Sequence, residues 1–317
     1  MRIVRAPLRI SLFGGGTDFP SFYQVHGATI VSFALDLYMS VIWNRRPTGG
    51  CRLSYSTVEE LGSLTTAKHT LVKAAAVKYG FEEPCTLTIV SDVPAGTGLG
   101  SSSALAVCLC KLVRAHESGY HLVKTALDLE RSVSNVGIQD HLSAYLGGFR
   151  IYRLQADKVW WMEDSQWWSD IEKCGSLFYT GGERQAAAIL PAWERDEAAL
   201  LDIKALADDT AAHLNGMTLE ELGRRLDQTW QIKRRIPGVT NDVLDAQYQI
   251  ARNAGAYGGK LLGAGGCGCW FFLAEPGAQL EQALVPLPAL RVDGAYKGMA
   301  RLPFHIAREG VRERELW

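Results

Sequence analysis

The chain has 317 residues, 47% hydrophobic and 21% charged, with 33 Lys and Arg against 34 Asp and Glu for a net charge of -1. That length supports a large core in two lobes, and the balanced charge leaves no electrostatic footprint for nucleic acid. The opening residues lack a secretory apolar stretch and no run approaches the roughly 18 apolar residues of a bilayer span, so the expectation is a cytoplasmic protein acting on a small molecule.

From the N-terminus, residues 3–13 alternate as a strand does and run into Gly14-Gly15-Gly16-Thr17-Asp18, a turn whose lack of bulk lets backbone approach a ligand. Residues 28–44, rich in β-branched and aromatic side chains, are expected to pair with 51–55 about the Pro47-Thr48-Gly49-Gly50 turn. Residues 70–79 read as a helix, 85–91 as a strand, 92–103 as a glycine-rich loop and 104–116 as a buried helix. Residues 122–134 are helical, 137–145 start a further helix that Gly147-Gly148 stops, and 149–152 are extended. A lobe boundary is placed at 157–170, where Trp160, Trp161, Trp167 and Trp168 are dense enough to fill an interlobe core. Residues 186–213, 218–235 and 241–253 read as helices, and 260–274 as turn and strand. The interleaving makes this a mixed α/β protein of α+β type, with domains at 1–165 and 166–317. Seven scattered cysteines read as buried side chains in a reducing compartment, and the pairs Cys108-x-Cys110 and Cys267-x-Cys269 lack the partners a zinc site requires.

The densest chemical signal is the string Pro94-Ala95-Gly96-Thr97-Gly98-Leu99-Gly100-Ser101-Ser102-Ser103-Ala104, three glycines and three hydroxyls directly before an apolar helix. Glycines let backbone N–H groups converge on a polyphosphate, the helix N-terminus adds partial positive charge, and a serine hydroxyl can reach a metal ion. The spacing fits neither the Gly-Lys-Ser/Thr ending of a Walker A loop nor the dinucleotide pattern Gly-x-Gly-x-x-Gly, which sets aside a nicotinamide oxidoreductase. A glycine turn with a Ser N-cap accounts for any one of these residues but poorly for the whole string.

This string resembles the second signature of the GHMP kinases (galactokinase, homoserine, mevalonate and phosphomevalonate kinases and relatives). The stretch from Ala6 to Asp18 resembles the family's first motif, and Lys260-Leu261-Leu262-Gly263-Ala264-Gly265-Gly266-Cys267-Gly268 is similar to the third. The resemblance covers almost the whole chain and implies a two-lobed GHMP kinase fold, an N-terminal domain like ribosomal protein S5 and a ferredoxin-like α+β C-terminal domain. It implies ATP held by Pro94, Gly96, Thr97, Gly98, Leu99, Gly100, Ser101, Ser102 and Ser103, with Mg2+ on Ser102 and Glu130. Read alone, Glu130 is equally a solvated helix residue. The resemblance further implies Asp140 facing the acceptor hydroxyl, with Arg9 beside it to keep it charged and to neutralise the transferring phosphoryl group; read alone, Asp140 is also a helix N-cap. Gly15, Gly16, Thr17 and Asp18, together with Gly263, Ala264, Gly265 and Gly266, are implied at the substrate, although Asp18 also reads as an Asx-type turn.

The first motif lacks the Glu and His of the galactokinase Gly-Glu-His-Thr-Asp, which argues against galactose. Its glycine turn, the Tyr179-Thr180-Gly181 and Arg184 cluster and residues 256–266 resemble the bacterial D-glycero-D-manno-heptose 7-phosphate kinases, which phosphorylate the anomeric oxygen to give a 1,7-bisphosphate. His141 stands where that pattern commonly has glutamine. Fucokinase domains share much of the pattern, so a kinase of another sugar such as fucose is the near alternative, and a non-catalytic GHMP-fold ligand sensor the further one. A phosphorylated acceptor needs cations at its far end, for which Arg184, Lys233, Arg234 and Arg235 are the candidates, Arg184 first among them for following a Thr-Gly-Gly turn. The expected ligands are ATP, Mg2+ and a small sugar or sugar phosphate, with no nucleic acid and no membrane; a homodimer is compatible with this class.

Overall fold

The computed structural model describes residues 1–156, 158–164, 166–182, 192–193, 196–288 and 298–315. Their strands are β1 (Arg2–Phe13), β2 (Ala28–Arg45), β3 (Cys51–Ser54), β4 (Val58–Leu61), β5 (Cys85–Ser91), β6 (Phe149–Gln155), β7 (Lys158–Glu163), β8 (Gly175–Tyr179), β9 (Ala256–Leu261), β10 (Cys269–Ala274), β11 (Ala300–Leu302) and β12 (Arg312–Glu315). The helices are α1 (Pro20–His26), α2 (Thr70–Tyr79), α3 (Ser101–Val113), α4 (Gly119–Arg131), α5 (Gln139–Leu146), α6 (Trp168–Cys174), α7 (Glu197–His213), α8 (Leu219–Lys233), α9 (Asp242–Asn253) and α10 (Leu280–Leu284).

An eight-stranded sheet runs β12-β1-β2-β5-β3-β4, and β6 and β7 branch from it. The branch exists because β2 is 18 residues long: its first part, Ala28 to Phe33, pairs with β6, and its last part, Met39 to Arg45, pairs with β5. Strand β1 is buried continuously from Ala6 to Phe13, which a strand covered on both faces requires. Helices α3 and α5 pack on it, and α3 is itself buried almost all round, from Ser103 to Cys110 and at Leu112. Its apolar run therefore reads as a core helix rather than an amphipathic one.

The second sheet, β11-β8-β10-β9, is antiparallel throughout. All six residues of β10 are buried, and Trp230 and Trp270 meet edge to face at 4.8 Å between ring centroids. One core joins the two sheets, with Phe33 of β2 against Phe271 of β10 at 5.8 Å. Side chains satisfy orphan N–H groups at three helix starts, with Asp196 capping α7, a Thr218–Glu221 capping box on α8 and Asn241 capping α9.

Several expectations are corrected. Strand β3 does not pair with β2, because β5 inserts between them and takes β3 as a parallel neighbour. The helix expected from 104 begins at Ser101, so the three serines form its first turn. The helix expected over 186–213 begins at Glu197, and its earlier part lies largely outside the described residues. Of the four tryptophans expected in an interlobe core, Trp160 and Trp161 are exposed on β7, while Trp167 is buried and donates to Leu214 O.

Helix α8 lies on β9 through a notch made by two glycines. A Cβ on Gly258 would sit 1.9 Å from Gly223 O, and one on Gly223 would sit 2.4 Å from Tyr257 Cβ. This close approach sets the positions of Lys233 at the end of α8 and Lys260 in β9. We expect Gly258→Ala to lower stability by about 1–3 kcal/mol through overpacking, measured as a shift in the urea midpoint.

Candidate active site

A cavity of about 890 Å³ opens between the two sheets. Strand β1 enters it with Arg9, whose guanidinium forks onto Asp140 of α5: Nε donates to Oδ1 at 2.7 Å and Nη2 to Oδ2 at 2.8 Å. The third nitrogen, Nη1, donates to Gly98 O at 2.5 Å, and the Arg9 backbone N–H donates to Leu99 O at 3.0 Å. One buried arginine thus ties strand, helix and glycine-serine loop together. Asp140 lies in the first turn of α5; Ile138, not Asp140, is the N-cap.

Gly100 stands over this pair as the N-cap of α3 at φ +78°, and a Cβ there would lie 3.2 Å from Asp140 Oδ2. The loop carrying it interlocks with residues 262–268. A Cβ on Gly98 would sit 2.6 Å from Leu262 O, one on Gly263 would sit 2.6 Å from Gly98 Cα, and Cys269 N donates to Thr97 O at 2.9 Å. Two glycine-rich motifs 160 residues apart in the chain therefore form one double loop. Gly96, Gly98, Gly100, Ser101, Ser102 and Ser103 line the cavity, whereas Thr97 and Leu99 turn into the core and Pro94 lies outside the wall. On the facing side Gly263, Ala264 and Gly265 line it and Gly266 does not.

At the first motif, Gly15, Gly16 and Asp18 line the cavity, while Thr17 is buried and donates from its hydroxyl to Gly14 O at 2.8 Å. Asp18 is 2% exposed and accepts from Gly16 N, Gln139 N and Gln139 Nε2 at 3.1–3.2 Å. Burial, and then the nearby Asp140 carboxylate, push its carboxyl above the ordinary value despite these donors. Gly137 makes room for it, since a Cβ there would lie 1.8 Å from Asp18 Oδ2. Asp18 thereby fixes the glycine turn to the start of α5. Beside it, Ser11 Oγ and Gln139 Oε1 are buried without a hydrogen-bond partner, and both residues line the cavity.

Glu130 of α4 is 1% exposed, also on the cavity wall. Ser103 Oγ donates to its Oε2 at 2.7 Å, and Nε2 of the fully buried His141 lies 2.8 Å from the same oxygen, short but not aligned as a hydrogen bond. Although burial pushes the carboxyl up, His141 and the hydroxyls of Ser102 and Ser103 outweigh it and hold the group below its ordinary value. Ser102 itself is exposed. An ionised carboxylate beside an exposed serine hydroxyl suits Mg2+, which takes few protein ligands and draws the rest from water and phosphate oxygens.

Two lysines complete the wall. Lys233 Nζ donates to Leu261 O and Gly263 O at 2.6 Å each and stands 5.5 Å from the Trp193 ring, while Lys260 Nζ donates to Leu12 O at 3.1 Å. Both are buried, and Trp193 packs on Gly16 so closely that a Cβ there would lie 2.5 Å from the ring. Of the three described cations expected for a phosphate, Lys233 alone lines the cavity, while Arg234 pairs with Asp245 at 2.6 Å and Arg235 is exposed; Arg184 lies outside the described residues. Lys260 and Trp193 were not singled out from the sequence. A lysine inside the otherwise uncharged strand Ala256–Leu261 is the signal that was available, because lysine is almost never fully buried without a purpose.

The family description GHMP kinases N terminal domain matches residues 66–148, and GHMP kinases C terminal matches 206–290, together more than half of the chain. The chain belongs to the GHMP kinases. A D-glycero-alpha-D-manno-heptose 7-phosphate kinase of Campylobacter jejuni is 28% identical to it, across 98% of this chain and 99% of that protein. A mevalonate kinase of Pyrococcus abyssi is 26% identical, across 99% and 98%. Among solved structures, a D-glycero-D-manno-heptose 1-phosphate kinase from Bacteroides thetaiotaomicron superposes with a TM-score of 0.76 over the full length of both chains at 24% identity. As a GHMP kinase the protein takes ATP as its phosphoryl donor, and the two-sheet α+β architecture is the family's. No helix among the described residues is long and apolar enough to cross a membrane.

Burial drives the Lys233 amine well below its ordinary value and that of Lys260 to about 7, with Arg9 adding repulsion to both and Lys260 to Lys233. Between about pH 7 and the ordinary lysine value of 10.5, Lys260 binds fewer protons in the folded kinase than in the unfolded chain. Stability therefore rises with pH across that window and is lost as pH falls to about 7. Arg9, Lys233, Asp18 and Asp140 face the same space, so the comparison needs a difference. We expect Lys260→Met to flatten the rise between pH 7 and 9 by about 2 kcal/mol, read from urea unfolding of both proteins without ligand.

Proposed function

We propose that this GHMP kinase transfers the γ-phosphoryl group of Mg-ATP to the anomeric hydroxyl of D-glycero-D-manno-heptose 7-phosphate. The observation that carries the chemistry is the Arg9–Asp140 fork directly beneath Gly100 of the glycine-serine loop. Support for the acceptor comes from the end-to-end match to the Campylobacter jejuni heptose phosphate kinase and from the buried cations in the cavity.

In this reading the backbone of Gly96, Gly98 and Gly100 and the first turn of α3 cradle the phosphates. Ser102 and Glu130 would hold a Mg2+ ion, which would supply charge neutralisation during the transfer. Asp140 accepts the hydrogen bond of the anomeric hydroxyl and orients its oxygen toward the γ-phosphorus. As the new P–O bond forms and the bond to ADP breaks, the hydroxyl proton passes to Asp140. Arg9 fixes the carboxylate and places positive charge beside the equatorial oxygens, where a loose transition state concentrates its charge. Trp193 and Gly16 wall the acceptor, and Asp18 holds the glycine turn in place. Residues 1–165 act as the ATP-bearing domain and 166–317 as the domain closing over the substrate, in the cytoplasm.

Asp140→Asn keeps the shape of the fork's partner and removes its charge. We expect kcat with heptose 7-phosphate to fall about 10²–10⁴-fold while tryptophan fluorescence reports unchanged ATP affinity; near-normal turnover removes Asp140 from the mechanism. Ser102→Ala is expected to raise the Mg2+ concentration needed for half-maximal ADP binding, measured without acceptor, and an unchanged Mg2+ titration sinks the metal assignment. The substrate reading is tested by ADP release against heptose 7-phosphate, unphosphorylated heptose, fucose, galactose and mannose. Turnover of a neutral sugar alone discards heptose phosphate.

A further inference from the structure

The cavity wall carries three cations, Arg9, Lys233 and Lys260, and three carboxylates, Asp18, Glu130 and Asp140, of which none hydrogen-bonds to either lysine. Asp140 is committed to Arg9, and Asp18 to the start of α5. Among the described residues, the hydrogen-bond partners of Lys233 and Lys260 are three backbone carbonyls, the Arg9 charge acts on both amines, and that of Lys260 acts on Lys233. An ammonium has three donors, so Lys260 keeps two unused and Lys233 one. Two buried ammonium groups without a counter-ion are costly in the empty protein, and an anion with several acceptor oxygens relieves both at once.

Strand β1 supplies the scale. Arg9 marks the reacting end, because its side chain carries Asp140 beneath Gly100. Ser11, two residues on, presents an unpartnered hydroxyl to the cavity about 7 Å along the strand, and Leu12, whose carbonyl holds Lys260, lies about 10 Å along it. Lys233 lies between Gly263 and the Trp193 ring that covers Gly16. A sugar placed with its reacting hydroxyl at Asp140 shares the cavity with the orphan polar atoms of Ser11 and Gln139 and with the two lysine amines.

We propose that Lys233 and Lys260 are the specificity-determining seat for a phosphate that the acceptor already carries, at the end opposite the hydroxyl that is phosphorylated. This rests on the acceptor reading given above and adds to it the residues that demand the phosphate. The depressed basicity of both amines in the empty cavity fits a seat completed by an anion, which restores the charged form.

The test uses the full chain and two variants, Lys233→Met and Lys260→Met, which keep length and apolar stem. Heptose 7-phosphate binding is measured by calorimetry without nucleotide, and steady-state kinetics are run with the phosphorylated and unphosphorylated heptose. The seat predicts about 10–100-fold weaker heptose 7-phosphate binding in each variant, the loss of a hydrogen bond to a charged group. It also predicts an equal rise in its KM and loss of the preference for the phosphorylated over the unphosphorylated heptose, read as the ratio of their kcat/KM values. A fall in kcat for both acceptors with a raised KM for ATP overturns it, because the lysines then serve the transferred phosphoryl group. Unchanged ATP affinity and circular dichroism identify variants that have kept their fold. A wild-type protein that turns over only neutral sugars overturns both seat and acceptor, whereas a different phosphorylated acceptor with the same lysine dependence overturns the heptose assignment alone.

Discussion

The Arg9–Asp140 fork is the constraint on which the rest of the site depends. Arg9 belongs to β1, Asp140 to α5, and the third guanidinium nitrogen ends on the carbonyl of Gly98, so segments 89 and 131 residues from Arg9 are held by one planar group. A lysine in its place would offer a point charge and could not hold both carboxylate oxygens in a plane. The pair is also why β1 must be buried on both faces. Only a strand fixed by the core can keep a charged fork at 2.7–2.8 Å.

Glycines do at this site what side chains do elsewhere. Gly98 and Gly263 let two loops pass within contact of each other's backbone, Gly100 clears the space over Asp140, and Gly16 gives its flank to Trp193. Each adopts a positive φ. Removing the Cβ at these positions lets the 94–104 loop, the 14–18 turn and the Asp140 carboxylate share one cavity. The same absence of bulk made the motifs visible, because few ordinary cores have reason to concentrate glycine in this way.

What was legible in the sequence follows that logic. The 94–104 string, the 14–18 turn and the 260–268 loop stood out through composition, and the structure brings all three to one cavity together with Arg9, Glu130 and Asp140. Sheet order was not legible, because β5 comes between β2 and β3 only after a crossover through α2, and nothing in residues 28–55 records a partner 30 residues away. The exposed Trp160 and Trp161 misled because aromatic density does not distinguish an edge strand from a core. Within the 94–104 loop, Thr97 and Leu99 alternate inward as the loop turns, a detail set by the interlock with 262–269. Lys260 and Trp193 escaped because each acquires its neighbours only in three dimensions.

The four-residue strand β12 lies against β1, pairing Arg312 with Arg5 and Glu315 with Arg2. The strand bearing Arg9 therefore receives its outer neighbour from a segment synthesised some 300 residues later. Such a contact is about as non-local as this chain permits, and closing it is slow relative to forming local helices. Until that segment pairs, β1 presents a free sheet edge on the side away from β2, so enclosing the strand that carries Arg9 is a late, non-local step of folding.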